Sequence, residues 1–210
     1  MAPATRSLVL DFDGTVTVDD MLDQIASGFG DHAVYREVEE GLLRGEITLR
    51  ECIEREFQPV TAPLQEVVDW TLEHARIRPG FRELVERARA DGWRVLVVSS
   101  GFHELIEPLL EHVGVEVDEV RANRLDPRPE GWRVLWRDEA ICEQCGQACK
   151  RSALPEGHIS YVGDGYSDRC AALASDRIFA TKGLARWLEE HDAPYEAFRD
   201  FHDIRLGDPA

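Results

Sequence analysis

The chain has 210 residues, of which 43% are hydrophobic and 31% are charged, and this composition suits one core domain with a modest insertion. Its formal net charge of −17 argues against nucleic acids and anionic membranes as partners, because their phosphates would be repelled. No stretch has the length of a transmembrane helix, residues 1–6 show no signal-peptide pattern, and the five cysteines do not suggest a secreted disulfide framework, so we expect a cytoplasmic protein.

Strands and helices alternate over most of the chain. Short apolar runs typical of buried strands recur at 7–10, 95–98, 115–122, 159–162 and 177–180. Apolar residues at helical spacing follow some of these runs, at 81–88 and 105–113. This alternation predicts an α/β fold, with a Rossmann-like parallel sheet and flanking helices.

Two segments interrupt the alternation. Residues 17–77 contain only candidate helices, at 21–29, 33–43, 48–57 and 64–76. That length exceeds one crossover, so we predict an inserted helical subdomain at 17–77 and an α/β core at 1–16 and 78–210. The second interruption is a turn at 126–131 with a return strand at 133–136, which together predict a hairpin.

Two carboxylates follow the first predicted strand directly, in Asp11-Phe12-Asp13-Gly14-Thr15. In open α/β sheets, ligands bind at the carboxyl ends of the strands. A carboxylate pair there suggests a bound cation, acid–base chemistry or both, and a plain acidic turn is the alternative. Gly14 permits the sharp exit of the backbone that such a site needs.

Three later segments place polar groups at comparable positions. Ser99-Ser100-Gly101 follows a strand and is expected to open onto a helix, Lys150 precedes an expected short helix, and Gly163-Asp164-Gly165 with Asp168 follows another strand. Each has an ordinary explanation, as a serine cap, a solvated lysine or a helix cap. Together they gather carboxylate oxygens that Mg²⁺ would neutralise, beside a hydroxyl, a lysine and helix N-termini that suit a phosphate group.

A cysteine-rich run precedes Lys150. Cys142, Cys145 and Cys149 form a C-x2-C-x3-C pattern. Three interpretations fit it: a structural Zn²⁺ site, a redox-sensitive pair, or packing beside the lysine. Because structural zinc sites usually have four ligands, the first interpretation needs a fourth from Cys170 or His158.

The four motifs, in this order, resemble those of the haloacid dehalogenase superfamily of phosphohydrolases, and the resemblance spans nearly the whole chain. A helical insertion after the first motif is similar to that of C1-capped members, and 98–102 with 121–123 resembles the phosphoserine-phosphatase-like branch. Within it, 77–82 and the cysteine run are most similar to phosphatases acting on 2-hydroxy-3-keto-5-methylthiopentenyl-1-phosphate. The resemblance implies a core with an inserted helical cap.

The resemblance also implies a covalent mechanism. Asp11 would attack phosphorus to form an aspartyl-phosphate, and Asp13 would act as acid and then as base. Mg²⁺ would be held by Asp11, the backbone carbonyl of Asp13, and Asp164.

Phosphate binding is assigned in the same way. Ser99 and Lys150 would bind the phosphoryl oxygens, with Ser100 and Gly101 beside them.

The resemblance assigns two supporting residues, Thr15 and Asp168, and one further substrate-binding residue, Asp20. Thr15 would brace the first loop, and Asp168 would orient Lys150 or a metal-bound water. Asp20 occupies the place of a substrate-contacting glutamate, although its side chain is shorter.

We therefore expect a Mg²⁺-dependent phosphatase acting on a small phosphorylated metabolite, the methionine-salvage enol phosphate being one candidate. Phosphoserine phosphatase, another metabolite phosphatase or a phosphotransferase are alternatives with the same site. A non-catalytic binding protein is disfavoured, because Asp11, Asp13 and Lys150 are all present. The sequence leaves the oligomeric state open.

Overall fold

The computed structural model describes residues 5–207, so the outermost parts of the predicted core, 1–4 and 208–210, lie outside the described residues. One seven-stranded sheet has the order β4-β3-β2-β1-β5-β6-β7. All neighbouring strands are parallel except β4, which pairs antiparallel with β3. The strands are β1 (Arg6–Leu10), β2 (Arg94–Phe102), β3 (Glu119–Asp126), β4 (Arg133–Leu135), β5 (His158–Gly163), β6 (Arg177–Ala180) and β7 (Glu196–Ala197).

Helices cover both faces of the sheet. Because side chains alternate along a strand, Leu8 and Leu10 of β1 enter one apolar cluster and Val9 enters another. The first cluster includes residues of α5 and α6, and the second includes residues of α7 and α8. The predicted α/β fold is confirmed. These helices are α5 (Phe81–Ala90), α6 (His103–His112), α7 (Arg169–Ala172) and α8 (Lys182–Glu190).

Four helices lie between β1 and α5: α1 (Met21–Phe29), α2 (His32–Leu43), α3 (Leu49–Phe57) and α4 (Leu64–His74). The chain leaves and re-enters the sheet region at adjacent points, since Thr17 and Ile77 form an antiparallel bridge. Apolar residues of α1, α3 and α4 pack in one cluster with Phe102 and Trp132. The helices therefore lie against the end of β2 and the hairpin. No helix among residues 5–207 is long and apolar enough to cross a membrane.

The prediction of a strand at 115–122 is wrong in its boundaries, because β3 begins at Glu119. Asp118 accounts for the later start. Its carboxylate accepts a hydrogen bond from the backbone amide of Val95 at 2.8 Å, and its own amide donates to the Val95 carbonyl at 2.8 Å. The residues before Asp118 form a loop. Its apolar side chains pack against the core, so its sequence looks like that of a strand.

Two expectations for the motif segments also need correction. Ser99 does not lie at a helix N-terminus, because β2 continues to Phe102 after a register shift and α6 begins only at His103. Lys150 does not precede the short helix but is the first residue of a 3-10 turn, Lys150–Ala153. The return strand is one residue shorter than predicted and ends at Leu135.

Candidate active site

The site lies where the central strands end. In the sheet, β1 lies between β2 and β5, with Leu10 paired to Val97 and to Val162. Since the strands are parallel, the residues that follow them meet at one edge. Asp11 follows β1 and Asp164 follows β5.

Lys150 is the centre of this arrangement. Its side chain is 2% exposed, and its Nζ donates to Asp11 Oδ1 and, at 2.7 Å, to Asp168 Oδ1. Burial opposes the charged form, but the charges of Asp11 and Asp168 outweigh it and raise the pKa of Lys150. The lysine is therefore a fixed positive charge in an interior that contains several carboxylates.

Asp168 is held from several directions. Its Oδ1 accepts a hydrogen bond from the Tyr161 hydroxyl at 2.7 Å, and its Oδ2 accepts from the amides of Asp164 and Gly165 at 2.9 Å each. Burial opposes ionisation, but Lys150 and these donors lower the pKa of Asp168. It is thus held in its ionised form, in contact with Lys150.

Asp13 has a different environment. The Ser99 hydroxyl donates to its Oδ2 at 3.3 Å, and Ser99 Oγ accepts from the Gly101 amide at 2.8 Å. Burial and the neighbouring charge of Asp20 raise the pKa of Asp13 to about 8. A raised pKa favours the protonated form of Asp13, which suits a general acid.

Ser100 contributes its backbone rather than its hydroxyl. Its carbonyl accepts a hydrogen bond from Asn123 Nδ2 at 2.8 Å, which ties the last part of β2 to β3. With Lys150, Ser100 lines a cavity of about 30 Å³. A space of this size admits about one water molecule.

Asp164 completes the group of carboxylates. Thr15 Oγ1 donates to its Oδ1 at 2.7 Å. Gly14, which has φ +75°, approaches so closely that a side chain there would clash with the Asp164 carboxylate. The first loop and the loop after β5 are therefore packed directly on each other.

The donor set fits a divalent cation. Asp11, Asp164 and Asp168 each offer an oxygen, and these oxygens lie within 4.8 Å of one another. Burial and the charge of Asp168 raise the pKa values of Asp11 and Asp164. Carboxylate oxygens are the ligands that Mg²⁺ prefers, and a cation here would favour their ionised forms.

Asp20 lies close enough to Asp13 to affect its pKa, but its Oδ1 caps α1 by accepting from the amides of Leu22 and Asp23. Burial and the charge of Asp23 raise the pKa of Asp20 to about 7.

Two more carboxylates with raised pKa values lie in helices α1 and α3. Burial and Glu39 raise the pKa of Asp23 to about 6 and that of Glu56 to about 8.

Sequence reasoning missed two residues that hold the first loop. Lys182 Nζ donates to the Gly14 carbonyl at 2.8 Å and to Asp164 Oδ2 at 3.1 Å. The buried guanidinium of Arg78 donates to the carbonyls of Gly14 and Thr15 at 2.6 and 2.7 Å. The sequence contained one hint that Lys182 has a specific role, because the chain has only one other lysine, Lys150.

The structure brings the three predicted cysteines, Cys142, Cys145 and Cys149, together with Cys170. His158 does not join them, because it begins β5 and lies next to Trp93 and Asp176.

The parallel sheet and the carboxylates that follow the ends of its central strands are typical of one class of enzyme. The sequence pattern of the haloacid dehalogenase-like hydrolases matches residues 8–173, and the chain belongs to that family. It is a hydrolase of the phosphatase type, as the motifs predict.

Three known proteins are similar to this chain over most of its length. The chain is similar to 2-hydroxy-3-keto-5-methylthiopentenyl-1-phosphate phosphatase of Brevibacillus brevis, with 31% identity over 95% of this chain and 94% of the relative. The phosphatase of the same name from Bacillus velezensis is 30% identical over 97% of this chain and 89% of its own. The structure of phosphoserine phosphatase from T. onnurineus has a TM-score of 0.69 and 23% identity, covering 97% of this chain and 94% of that one.

We predict that Lys150→Met lowers the free energy of unfolding by about 3–5 kcal/mol, because it leaves buried carboxylates without their cation. Lys182→Met is the matched control. Its side chain is 43% exposed, so we expect a loss below about 1 kcal/mol. Urea unfolding of both variants measures the difference, and equal losses would contradict the assigned role of Lys150.

Proposed function

We propose that this protein is a Mg²⁺-dependent phosphatase that hydrolyses a small phosphate monoester through an aspartyl-phosphate. The observation that carries the proposal is the contrast between two carboxylates of one loop. Burial raises the pKa values of both, but the Lys150 ammonium in contact with Asp11 favours its ionised form, whereas Asp13 is bonded to the neutral hydroxyl of Ser99 and has its pKa raised to about 8. One is suited to attack and the other to donate a proton.

In the first step, an Asp11 oxygen forms a bond to phosphorus while the bond from phosphorus to the ester oxygen breaks. Asp13 transfers its proton to the departing alkoxide. Lys150 and Ser99 offer donors for the phosphoryl oxygens, beside the Ser100 and Gly101 segment at the end of β2. In the second step, Asp13 takes a proton from water, the water oxygen binds phosphorus, and the Asp11 carboxylate is released.

The carboxylates of Asp11 and Asp164 would hold Mg²⁺, together with the backbone carbonyl of Asp13. When bound, the ion offsets the charge repulsion between Asp11 and an anionic phosphate. Thr15 and Lys182 hold Asp164 in position for this role.

We infer that α1–α4 form a cap with the predicted limits, 17–77, over a core formed by the rest of the chain. Asp11, Ser99 and Lys150 are all less than 5% exposed, which supports a closed arrangement that excludes bulk water. Exclusion of water strengthens the charge interactions on which phosphoryl transfer depends.

For the substrate, we propose 2-hydroxy-3-keto-5-methylthiopentenyl-1-phosphate, on the strength of the relatives named above. A second candidate is phosphoserine, whose leaving group carries an ammonium group beside its carboxylate. It is favoured by the carboxylates of Asp20, Asp23 and Glu56, which continue from the reaction centre into the cap.

Asp11→Asn tests the nucleophile. We expect turnover to be abolished while the circular dichroism spectrum stays unchanged, because an amide cannot form the covalent intermediate. Asp19→Asn is the matched control, since the side chain of this aspartate in the same loop is 37% exposed and pairs with Arg76 at the surface. Phosphate release from an alkyl phosphate with Mg²⁺ measures both. Turnover by Asp11→Asn near the wild-type rate would refute the mechanism.

The pKa of Asp13 predicts a pH dependence. For an alkyl phosphate, kcat/KM should fall as the pH rises through about 8, since Asp13 loses the proton that the leaving group needs. The leaving group of a nitrophenyl phosphate needs no such proton, so kcat/KM for this ester should not fall over the same pH range. Asp13→Asn should slow the alkyl ester by about 10²–10⁴-fold and the aryl ester less. The same alkaline limb for both esters would rule out this role of Asp13.

A panel of phosphate esters tests which leaving group the enzyme prefers. We expect the methionine-salvage enol phosphate to have the highest kcat/KM among that ester, phosphoserine and sugar phosphates, assayed with Mg²⁺. Glu56→Gln separates the two candidates, because removing a cap carboxylate should raise KM for phosphoserine but leave a neutral leaving group nearly unaffected. Alcohol acceptors added to the same assay reveal any phosphotransfer. A preference for phosphoserine that Glu56→Gln abolishes would favour the second candidate.

A further inference from the structure

Four cysteine thiols from two separate parts of the chain meet beside the active site. Cys142, Cys145 and Cys149 lie in the segment before the 3-10 turn, and Cys170 lies in α7. Their sulfur atoms all lie within 4.8 Å of one another, and none is in a disulfide. In a tetrahedral zinc–thiolate site the bonds are about 2.3 Å long, which separates the sulfurs by about 3.8 Å. The thiols are therefore within a small movement of the positions that one ion requires.

The backbone folds back on itself between Cys142 and Gln147. The amide of Cys142 donates a hydrogen bond to the Gln147 carbonyl at 3.0 Å. Gly146, with φ +71°, turns the chain so that its amide donates to the Cys142 carbonyl at 2.8 Å. Two cysteines separated by two residues on such a tight turn are typical of zinc ligands.

Apolar packing does not explain why the thiols cluster. None of the four cysteines is fully buried. The segment between β4 and the 3-10 turn has no helix or strand, and Ile141, its largest aliphatic side chain, is 66% exposed. A segment without a core of its own can be ordered by a metal, because binding energy then contributes to folding.

Arg169 is a second, independent observation. It precedes Cys170 and lines the same cavity, of about 300 Å³, as Cys145 and Cys149. Its buried Nε has no hydrogen-bond partner among the residues that the structure describes. A buried donor without a partner is unusual. The guanidinium lies over the rings of Tyr166 and Trp187, 4.3 and 5.2 Å from their centroids, so a positive charge lies at the wall of this cavity.

We propose that this protein contains a structural Zn²⁺ ion in a closed four-thiolate site. Four protein ligands leave no position for water or substrate, which is typical of structural rather than catalytic zinc. Each thiol gives up its proton when the ion binds. The ligands are Cys142, Cys145, Cys149 and Cys170.

The proposed ion links two parts of the active site. Cys149 directly precedes Lys150, and Cys170 lies two residues after Asp168. Lys150 Nζ and Asp168 Oδ1 are 2.7 Å apart. The zinc site thus fixes the segment that carries the lysine against the helix that follows the aspartate. That consequence rests on the proposed function, whereas zinc binding itself does not.

Metal analysis of the whole chain, purified without chelator, tests the proposal. We expect about one zinc ion per chain by mass spectrometry of the metal. Replacing zinc with cobalt should give the near-ultraviolet thiolate charge-transfer bands and the visible bands of a tetrahedral site. Wild-type protein without metal, whether these thiols are free or joined in disulfides, would overturn the proposal.

Two variants define the ligands. Cys170→Ser should lose the zinc and lower the melting temperature, whereas Cys52→Ser, at a buried cysteine of α3 outside the cluster, should keep the metal. If Cys170→Ser does not fold, Cys145→Ser at the exposed position provides the same test. Zinc retained by both ligand variants would also refute the site. No substrate is used, so the outcome is independent of the phosphatase assays.

Discussion

The buried ammonium of Lys150 is the charge on which the rest of the site depends. Asp11, Asp164 and Asp168 are nearly inaccessible to water, and burial disfavours their charged forms. Lys150 offsets this for Asp168 and contacts Asp11 directly. Because the chain as a whole has a net charge of −17, an anionic substrate is attracted only by such local positive charge. The same pairing thus stabilises the fold and suits the site to phosphate.

Patterns within short segments made much of the fold predictable. The continuous apolar run of β1 and the acidic residues directly after it indicated both a strand buried on two faces and a ligand site at its end. The family and the fold that the motifs predicted are confirmed. The roles of Asp11, Asp13 and the other site residues stay predictions, although the structure brings these side chains together.

The features that sequence reasoning missed depend on contacts between distant residues. Lys182 reaches Gly14 across 168 positions, and Arg78 reaches the same carbonyl across 64. No local pattern reports such contacts. The misplaced start of β3 has a similar cause, since a hydrogen bond from Val95 to the Asp118 side chain decides where the strand pairing begins. Side-chain bonds to the backbone compete with secondary structure in ways that apolar periodicity does not show.

In the proposed function, the carboxylates of the proposed cap would connect protonation to the choice of leaving group. Asp20 and Glu56 have pKa values raised to about 7 and about 8, chiefly by burial, so both can carry a proton near neutral pH. Protonated carboxyls donate hydrogen bonds, which suits the hydroxyl and keto oxygens of the methionine-salvage ester. A cationic amine would instead favour their ionised forms and would release protons on binding. The two substrates therefore need different charge states of one set of side chains, and whether substrate binding releases protons distinguishes them without any change in the core chemistry.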